Sequence, residues 1–94
     1  MSGYLIAHLN VDNLENYKKY VQETTPIVKK YNGEFLVRGG KFDVVWGEWQ
    51  YSRNVIIKFP NIKKAFDWYN SSEYQPIKKI REDNSNGSAI IIEG

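Results

Sequence analysis

The side chains of this sequence that can carry out chemistry near neutral pH are few and mostly cationic. His8 is the single histidine, and its imidazole can accept a proton near pH 7 or serve as a structural hydrogen-bond partner. Arg38 precedes a Gly-Gly pair. Its planar guanidinium can clamp a carboxylate or phosphate, pin the turn, or pair with Glu34 or Glu48. His8 is therefore the one candidate catalytic residue, and both side chains are candidate ligand contacts.

A second group of candidates lies between residues 68 and 81 and is mainly aromatic. Trp68, Tyr69 and Tyr74 can line a flat pocket for a ring-shaped ligand, or fill a core at helical spacing. Arg81 follows Tyr74 by seven residues, so a phenol and a guanidinium on one helical face can converge. The complete set of predicted ligand-binding residues is His8, Asn10, Arg38, Lys58, Trp68, Tyr74 and Arg81.

Several other chemistries are disfavoured by what the sequence lacks. It contains no cysteine, so it has no thiolate and no disulfide, and a single histidine is too few for a histidine-rich metal site. The Gly39-Gly40 pair lacks the Lys-Ser/Thr of a phosphate loop and the spaced glycines of a dinucleotide site. No cofactor and no metal are therefore predicted.

Length and charge predict one small domain without a nucleic-acid or membrane partner. The 94 residues fit a single domain, residues 1–94. The net charge is only +2, with basic and acidic residues interspersed, so no nucleic-acid footprint is evident. No basic leader or long apolar run precedes the domain, which favours a cytoplasmic protein.

The first predicted elements are a strand and a long helix. Residues 4 to 11 alternate, with Leu5, Ala7 and Leu9 on a dry face and His8 and Asn10 on the opposite, open face. The helix should start at an Asp12–Glu15 capping box and end at Asn32-Gly33, with a kink at Pro26. Its predicted inward residues are Leu14, Tyr17, Val21, Val28 and Tyr31.

A hairpin is predicted next. Residues 34 to 38 read as a strand with Phe35 and Val37 on one side and Leu36 and Arg38 on the open side. The Gly-Gly pair turns the chain, and residues 42 to 49 read as a less regular strand with a bulge at Gly47.

The last third of the chain predicts a strand, two short helices and a closing strand. Residues 54 to 59 bury alternate apolar side chains, and Lys58 lies on their open face. Asn61 should cap the first helix, and Ser72 with Gln75 the second. A polar loop over residues 84 to 88 then leads to a short strand over residues 89 to 92. In the helix that Asn61 should cap, the predicted inward-facing residues are Ile62, Ala65, Phe66 and Tyr69.

This order predicts an α+β ferredoxin-like sandwich, βαββαβ with an extra hairpin strand, whose helices cover one face of an antiparallel-dominated sheet. The other face carries Ile6, Leu36 and Ile56, so we expect a homodimer through the open sheet face. We expect the first strand and the strand of residues 54 to 59 to lie side by side and parallel, so that His8 and Lys58 can meet and Arg38 lies at the opposite rim.

Several spaced motifs resemble an uncharacterised bacterial family, number 1330 among the domains of unknown function. They are Leu36-Val37-Arg38-Gly39-Gly40, Gly47-Glu48-Trp49, Ile57-Lys58-Phe59-Pro60, Ala65, Trp68-Tyr69, Ser72-Glu73-Tyr74-Gln75 and Arg81. The resemblance spans the chain and implies a dimeric α/β-barrel, in a superfamily that includes monooxygenases, isomerases and heme-handling enzymes. The family often has an acidic residue where this chain has Lys58.

Two hypotheses of different classes follow from these observations. The first is a homodimer that binds an anionic or aromatic metabolite between sheet and helices, with cofactor-independent enzymatic activity as an extension of it. The second is a non-catalytic structural or interaction module whose motifs serve folding and dimerisation. A cavity filled by Trp46, Trp68 and Tyr74 would favour the second.

Overall fold

The protein, described over all 94 residues by a computed structural model, is an α+β sandwich with three helices on one face of a four-stranded sheet. The sheet has the order β2-β3-β1-β4, and all its pairings are antiparallel. None of the three helices is long and apolar enough to cross a lipid bilayer. The elements are β1 Gly3–Val11, α1 Leu14–Lys30, β2 Glu34–Arg38, β3 Arg53–Phe59, α2 Ile62–Tyr69, α3 Gln75–Asn84 and β4 Ser85–Glu93.

The core lies between the sheet and the helices, as the alternation of the strands predicts. The buried side chains of the two central strands are Leu5, Ala7, Leu9, Val55, Ile57 and Phe59. The helices cover them with Trp68 and Tyr74, both fully buried, whose rings pack with centroids 4.3 Å apart. Burial of such apolar area is the main stabilising term of the fold.

The central strands run antiparallel, so the predicted parallel pairing is wrong. Strand β3 forms an antiparallel hairpin with β2 and then lies between β2 and β1. Because α1 carries the chain back along the sheet, β1 and β2 point the same way and β3 opposes both. His8 therefore lies opposite Asn54, whereas Lys58 lies opposite Tyr4. The predicted approach of His8 to Lys58 does not occur.

A bulge at Leu36 changes the face on which Arg38 lies. Phe35 pairs with Ile57, but Val37 pairs with Ile56 and Arg38 with Val55, so β2 has one extra residue. An extra residue inverts the alternation of side chains beyond it. The prediction that Arg38 lies on the open face is therefore wrong, because Arg38 lies on the helix-covered side.

The predicted extra hairpin strand over residues 42 to 49 is also wrong. No regular element lies between β2 and β3. Gly39, Gly40 and Gly47 have φ between +73° and +90°, a conformation that extended strands do not use. The segment forms a long loop with several exposed apolar side chains, namely Phe42, Val44, Val45, Trp46 and Trp49.

Helix α1 begins one residue later than the sequence predicts. The side chain of Asn13, not of Asp12, accepts the Asn16 N–H and caps the helix. Its buried residues are Tyr17, Tyr20, Thr24 and Val28, whereas Leu14 in the first turn is 60% exposed. The helix continues as one element through Pro26. It ends at Lys30, and the predicted stop signal follows: Asn32 has φ +64°, and the Gly33 N–H donates to the Val28 carbonyl.

The boundaries of the last elements differ in part from the prediction. Asn61 caps α2 as predicted, by accepting the Lys64 N–H. Phe66 is 46% exposed, and Trp68 takes the inward position instead. No loop separates α3 from β4, because residues 85 to 88 pair with residues 8 to 11 of β1 and so extend the closing strand.

The predicted Ser72–Gln75 capping box is wrong, because Tyr74 is the N-cap of α3 and no side chain caps the helix. Ser71 instead holds the turn before α3, which yields a prediction for two adjacent serines. The Ser71 hydroxyl accepts the Tyr74 N–H and donates to the Trp68 carbonyl, while Ser72 forms no side-chain hydrogen bond. We expect Ser71→Ala to lower the free energy of unfolding by about 1 kcal/mol, as for lost hydrogen bonds in a turn. Ser72→Ala should change it by less than about 0.5 kcal/mol. Urea denaturation of both variants measures the difference, and an equal effect would contradict the observed hydrogen bonds of Ser71.

Candidate functional site

All three arginines of the chain line one cavity between the sheet and the helices. This arginine cavity is defined by Arg38, Arg53, Arg81, Tyr17, Tyr20 and Thr24. The three guanidinium groups come from three different elements, β2, β3 and α3, which only the folded chain brings together. The bulge in β2 and the inward parity of the first residue of β3 direct two of them to the helix-covered face.

Arg38 is fixed against helix α1. Its Nη2 donates to the Val21 carbonyl at 3.2 Å and to the Thr25 hydroxyl at 2.5 Å, and its guanidinium carbon lies 3.9 Å from the centre of the Phe35 ring. Burial, and then the nearby charge of Arg53, lower the pKa of Arg38 below its usual value. Arg38 and Arg53 therefore lie close enough in the cavity for their like charges to repel each other.

Two polar atoms in the cavity have no hydrogen-bond partner. They are Nε of Arg53 and the hydroxyl oxygen of Thr24, both shielded from solvent. Thr24 is only 3% exposed. Arg53 also lies over the ring of Tyr17, with its guanidinium carbon 5.4 Å from the ring centre. Buried polar groups are nearly always hydrogen-bonded, so a pair without partners at one cavity marks a place for a ligand or water.

Arg81 is held by a network of phenol groups. Its Nη1 and Nη2 donate to the hydroxyls of Tyr74, at 3.4 Å, and Tyr69, at 3.2 Å. The hydroxyls of Tyr74 and Tyr20 lie 2.7 Å apart. The predicted convergence of Tyr74 and Arg81 is therefore confirmed. Burial lowers the pKa of Arg81, but the phenol oxygens around it, Tyr74 first, raise it above its usual value.

No carboxylate balances the three arginines. All four salt bridges of the protein are formed by lysines at its surface. A partly buried guanidinium without a counter-charge costs free energy, and neighbouring like charges add to that cost. An anion at this position would relieve both terms, so the arrangement is suited chemically to bind one.

The arginine cavity is small but adjoins a larger cleft. The space open to the centre of a water molecule measures about 20 Å³ in the cavity and about 360 Å³ in the cleft. Both are lined by Ala7, Leu9 and Arg81, so Arg81 stands at the boundary between them. The cleft lies over β4, where Gly87 and Ala89 form part of its floor. A ligand in the cleft would therefore lie next to the arginines.

Three predicted ligand contacts lie elsewhere. His8 is on the open face of the sheet, packed edge-on against Trp49 and Tyr51, and its Nδ1 is buried without a partner. Asn10 anchors the end of the long loop by accepting from the backbone and hydroxyl of Ser52. Lys58 lies opposite Tyr4, and Tyr4 is four residues away from His8 along β1. The structure therefore does not bring these three residues together with the arginines.

The other predicted contacts divide between core and cavity. Trp68 is fully buried against Phe59, Tyr69 and Tyr74, so it belongs to the core. The sequence prediction missed Tyr17, Tyr20, Thr24 and Arg53 as cavity residues. A signal for Arg53 exists, because it has the same strand parity as the buried Val55 and Ile57. The pattern of α1 predicts Tyr17 only as an inward residue and gives no sign of Tyr20.

The tyrosine network predicts a loss of stability at alkaline pH. Burial, and then Tyr20, raise the pKa of Tyr74, and burial raises that of Tyr17 although Arg53 opposes it. Unfolded tyrosines ionise near pH 10, so above that pH the unfolded chain releases protons that the folded protein retains. The free energy of unfolding should fall by up to about 1.4 kcal/mol per pH unit for each such phenol.

Urea denaturation at pH values between about 9 and 11 measures this slope. Tyr74→Phe removes one of the phenols, so its stability should fall less steeply with pH than that of the wild type. Equal slopes for the two proteins would show that Tyr74 does not retain its proton in the folded state.

Comparison with known proteins gives a family and a fold. A family model described as a domain of unknown function, DUF1330, matches residues 2–94. No curated protein matches the sequence. A solved protein of unknown function from Rhodopseudomonas palustris superposes with a TM-score of 0.80 at 12% identity, covering 99% of this chain and 82% of that one.

Two further solved structures are similar in fold. A dimeric ferredoxin-like protein of unknown function from Thermobifida fusca has a TM-score of 0.60 at 9% identity, covering 100% of this chain and 92% of that one. A cofactor-independent oxygenase from Streptomyces nogalater has a TM-score of 0.64 at 6% identity, covering 99% and 92%. At these identities the similarities show a shared ferredoxin-like fold.

Proposed function

Since this chain belongs to the DUF1330 family over residues 2–94, a family without an assigned reaction, we propose a function from its own geometry. The protein is a small-molecule-binding domain whose ligand carries a negative charge and enters the arginine cavity from the adjoining cleft. The observation that carries this proposal is that all three arginines line one cavity and none forms a salt bridge. Guanidinium groups are well suited to recognise carboxylates by paired hydrogen bonds.

Binding is better supported than catalysis. The cavity contains no histidine or carboxylate, and the raised pKa values of Tyr17 and Tyr74 make these phenols poor proton donors at neutral pH, while neither carries the charge of a base. The structural neighbour described as a cofactor-independent oxygenase is 6% identical. The enzymatic extension of this proposal rests on that similarity alone, and no reacting group of this chain is assigned to it.

The proposal includes a homodimer formed through the open face of the sheet. Exposed apolar side chains on that face include Ile6, Val37, Ile90 and Ile92. An apolar area of this kind is typical of an interface, and the Thermobifida fusca neighbour is described as dimeric. Such a dimer would cover the open face and leave the cleft on the helix side accessible.

Light scattering coupled to size exclusion tests the dimer. The expected mass is twice the 11.0 kDa of one chain. Ile90→Glu introduces a charge on the open face and should give a monomer. Leu14→Glu is the matched control, because Leu14 is similarly exposed but lies on α1, and it should remain dimeric. A monomeric wild type would refute the dimer and leave the arginine cavity unaffected.

Thermal denaturation with simple probes tests anion binding. Acetate should raise the midpoint of unfolding in a saturable manner, because a ligand that binds only the folded state stabilises it by mass action. Acetamide has the same shape without the charge and should have no effect. Equal responses to the two probes, or none to either, would contradict the proposed function.

A further inference from the structure

From the sizes and linings of the cavity and the cleft, we infer that the ligand is a small hydroxylated carboxylic acid, with its carboxylate at the arginines and its hydroxyl groups in the cleft. This inference rests on the proposed function and adds the chemical class of the ligand. The aromatic ligands predicted from the sequence should then bind weakly, and so should plain alkyl acids.

The size of the arginine cavity selects the charged group. One water molecule needs roughly 10–15 Å³ of such space, so the observed 20 Å³ fits one or two oxygen-sized atoms. The two oxygens of a carboxylate match this space, whereas an aromatic ring or a phosphate group does not. The unpartnered Arg53 Nε can donate to one of these oxygens, and the buried Thr24 hydroxyl can donate to the other.

The lining of the cleft selects the remainder of the ligand. With about 360 Å³ it is much larger than the cavity, and the polar side chains of Tyr69, Arg81, Glu82 and Ser85 line it. Asn86 and Ser88 pair with Asn10 and His8 on the open face, so they line the cleft with their backbone. Strand β4 is an edge strand, so alternate N–H and C=O groups of this backbone have no strand partner. Hydroxyl groups both donate and accept hydrogen bonds and can satisfy such a mixed wall. An alkyl or aromatic tail would leave it unsatisfied.

Glu82 gives the inference a specific residue. It is exposed, lines the cleft and follows Arg81 directly on α3, yet it forms no salt bridge. A carboxylate at this place repels the charged end of a ligand but accepts hydrogen bonds from hydroxyl groups. It therefore favours a ligand that presents hydroxyls to the cleft and its own carboxylate to the arginines.

Isothermal titration with gluconate, hexanoate and glucose tests the inference. Gluconate and hexanoate have the same number of carbon atoms and differ in their hydroxyl groups, whereas glucose has hydroxyl groups but no charge. We expect gluconate to bind at least about tenfold more tightly than hexanoate, equivalent to one or two net hydrogen bonds, and glucose not to bind.

Glu82→Ala should reduce the ratio of gluconate to hexanoate affinity by about threefold or more, the value of a fraction of one hydrogen bond. Asp83→Ala is the control, since Asp83 is the next residue on α3 and does not line the cleft. It should leave the ratio unchanged.

Each outcome has a distinct meaning. If hexanoate binds as tightly as gluconate, or if Glu82→Ala and Asp83→Ala have the same effect on the ratio, the inference on the hydroxylated tail is wrong and anion binding stands. If neither acid binds, or if glucose binds as tightly as gluconate, the proposed function fails as well.

Discussion

Substitution of Arg53 by methionine should lower the affinity for a carboxylate ligand by about 10- to 100-fold, because a hydrogen bond to a charged group contributes about 1.5–3 kcal/mol. Arg53 is the central residue of the arginine cavity: its charge reaches Arg38, it lies over Tyr17, and its Nε has no partner in the folded chain. Methionine keeps much of the length and the apolar stem without the charge.

The ligand-free stability of this variant should change little. Removing a guanidinium that lacks a counter-charge relieves repulsion on Arg38, and this offsets the lost contact with Tyr17. We expect the free energy of unfolding to stay within about 1 kcal/mol of the wild type. A marked loss of stability together with unchanged affinity would indicate that Arg53 is structural.

Lys58→Met is the matched control for Arg53→Met. Both residues are cations of strand β3, but Lys58 has the parity of the open face. It should retain wild-type affinity. A similar loss in both variants would mean that ligand binding responds only to net charge, and the arginine cavity would not be the binding site.

Gly87→Ala should cause a large loss of stability, because the added methyl group has no room. Gly87 has φ +155°, and a Cβ at this position would overlap the carbonyl oxygen of His8 and lie 2.7 Å from the Cα of Leu9. Both are backbone atoms of the neighbouring strand β1, so the clash can be relieved only by separating β4 from β1. We expect a loss of about 3 kcal/mol or more in the free energy of unfolding.

Gly40→Ala separates the steric effect from the backbone effect. Gly40 also has a positive φ, +90°, but a Cβ there would meet nothing within 4 Å. Its cost should be that of the left-handed conformation alone, about 1–2 kcal/mol. Urea denaturation followed by tryptophan fluorescence measures both variants. Equal losses would mean that β1 and β4 do not approach as closely at Gly87 as the structure indicates.

The sequence predicts the layers of this fold well because burial follows simple periodicity. Leu5, Ala7 and Leu9 alternate with polar or open-face residues, and a strand with one covered face must show that pattern. The end of α1 was equally predictable, because Asn32 and Gly33 tolerate the backbone conformation that stops a helix.

The starts of α1 and α3 were predictable only to within one or two residues, since the N-caps are Asn13 and Tyr74. Asp12 and Asn13 are both good capping residues, as are Ser71 and Ser72. Which of the two accepts the backbone N–H depends on how the preceding strand or helix places the chain, and local sequence does not contain that information. In both cases the neighbour of the predicted residue forms the hydrogen bond.

The candidate site was harder to predict because it depends on one bulge and on the direction of one strand. Without the extra residue at Leu36, Arg38 would lie on the open face and the arginine cavity would contain one cation fewer. No turn residue or glycine marks that bulge in the sequence. Arg81 and Tyr74 were predictable, because their spacing within one helical segment fixes their proximity.

The most direct test of the central claim, that the three arginines form a carboxylate site, is the NMR spectrum of the arginine Nε–H groups. The chain has three arginines, all of them in the cavity, so every such signal reports on this site. Arg53→Met assigns one signal by its absence. Titration with acetate should shift the Arg53 signal in a saturable manner, with acetamide causing no shift. Signals that do not respond to acetate, or that respond equally to acetamide, would contradict the claim.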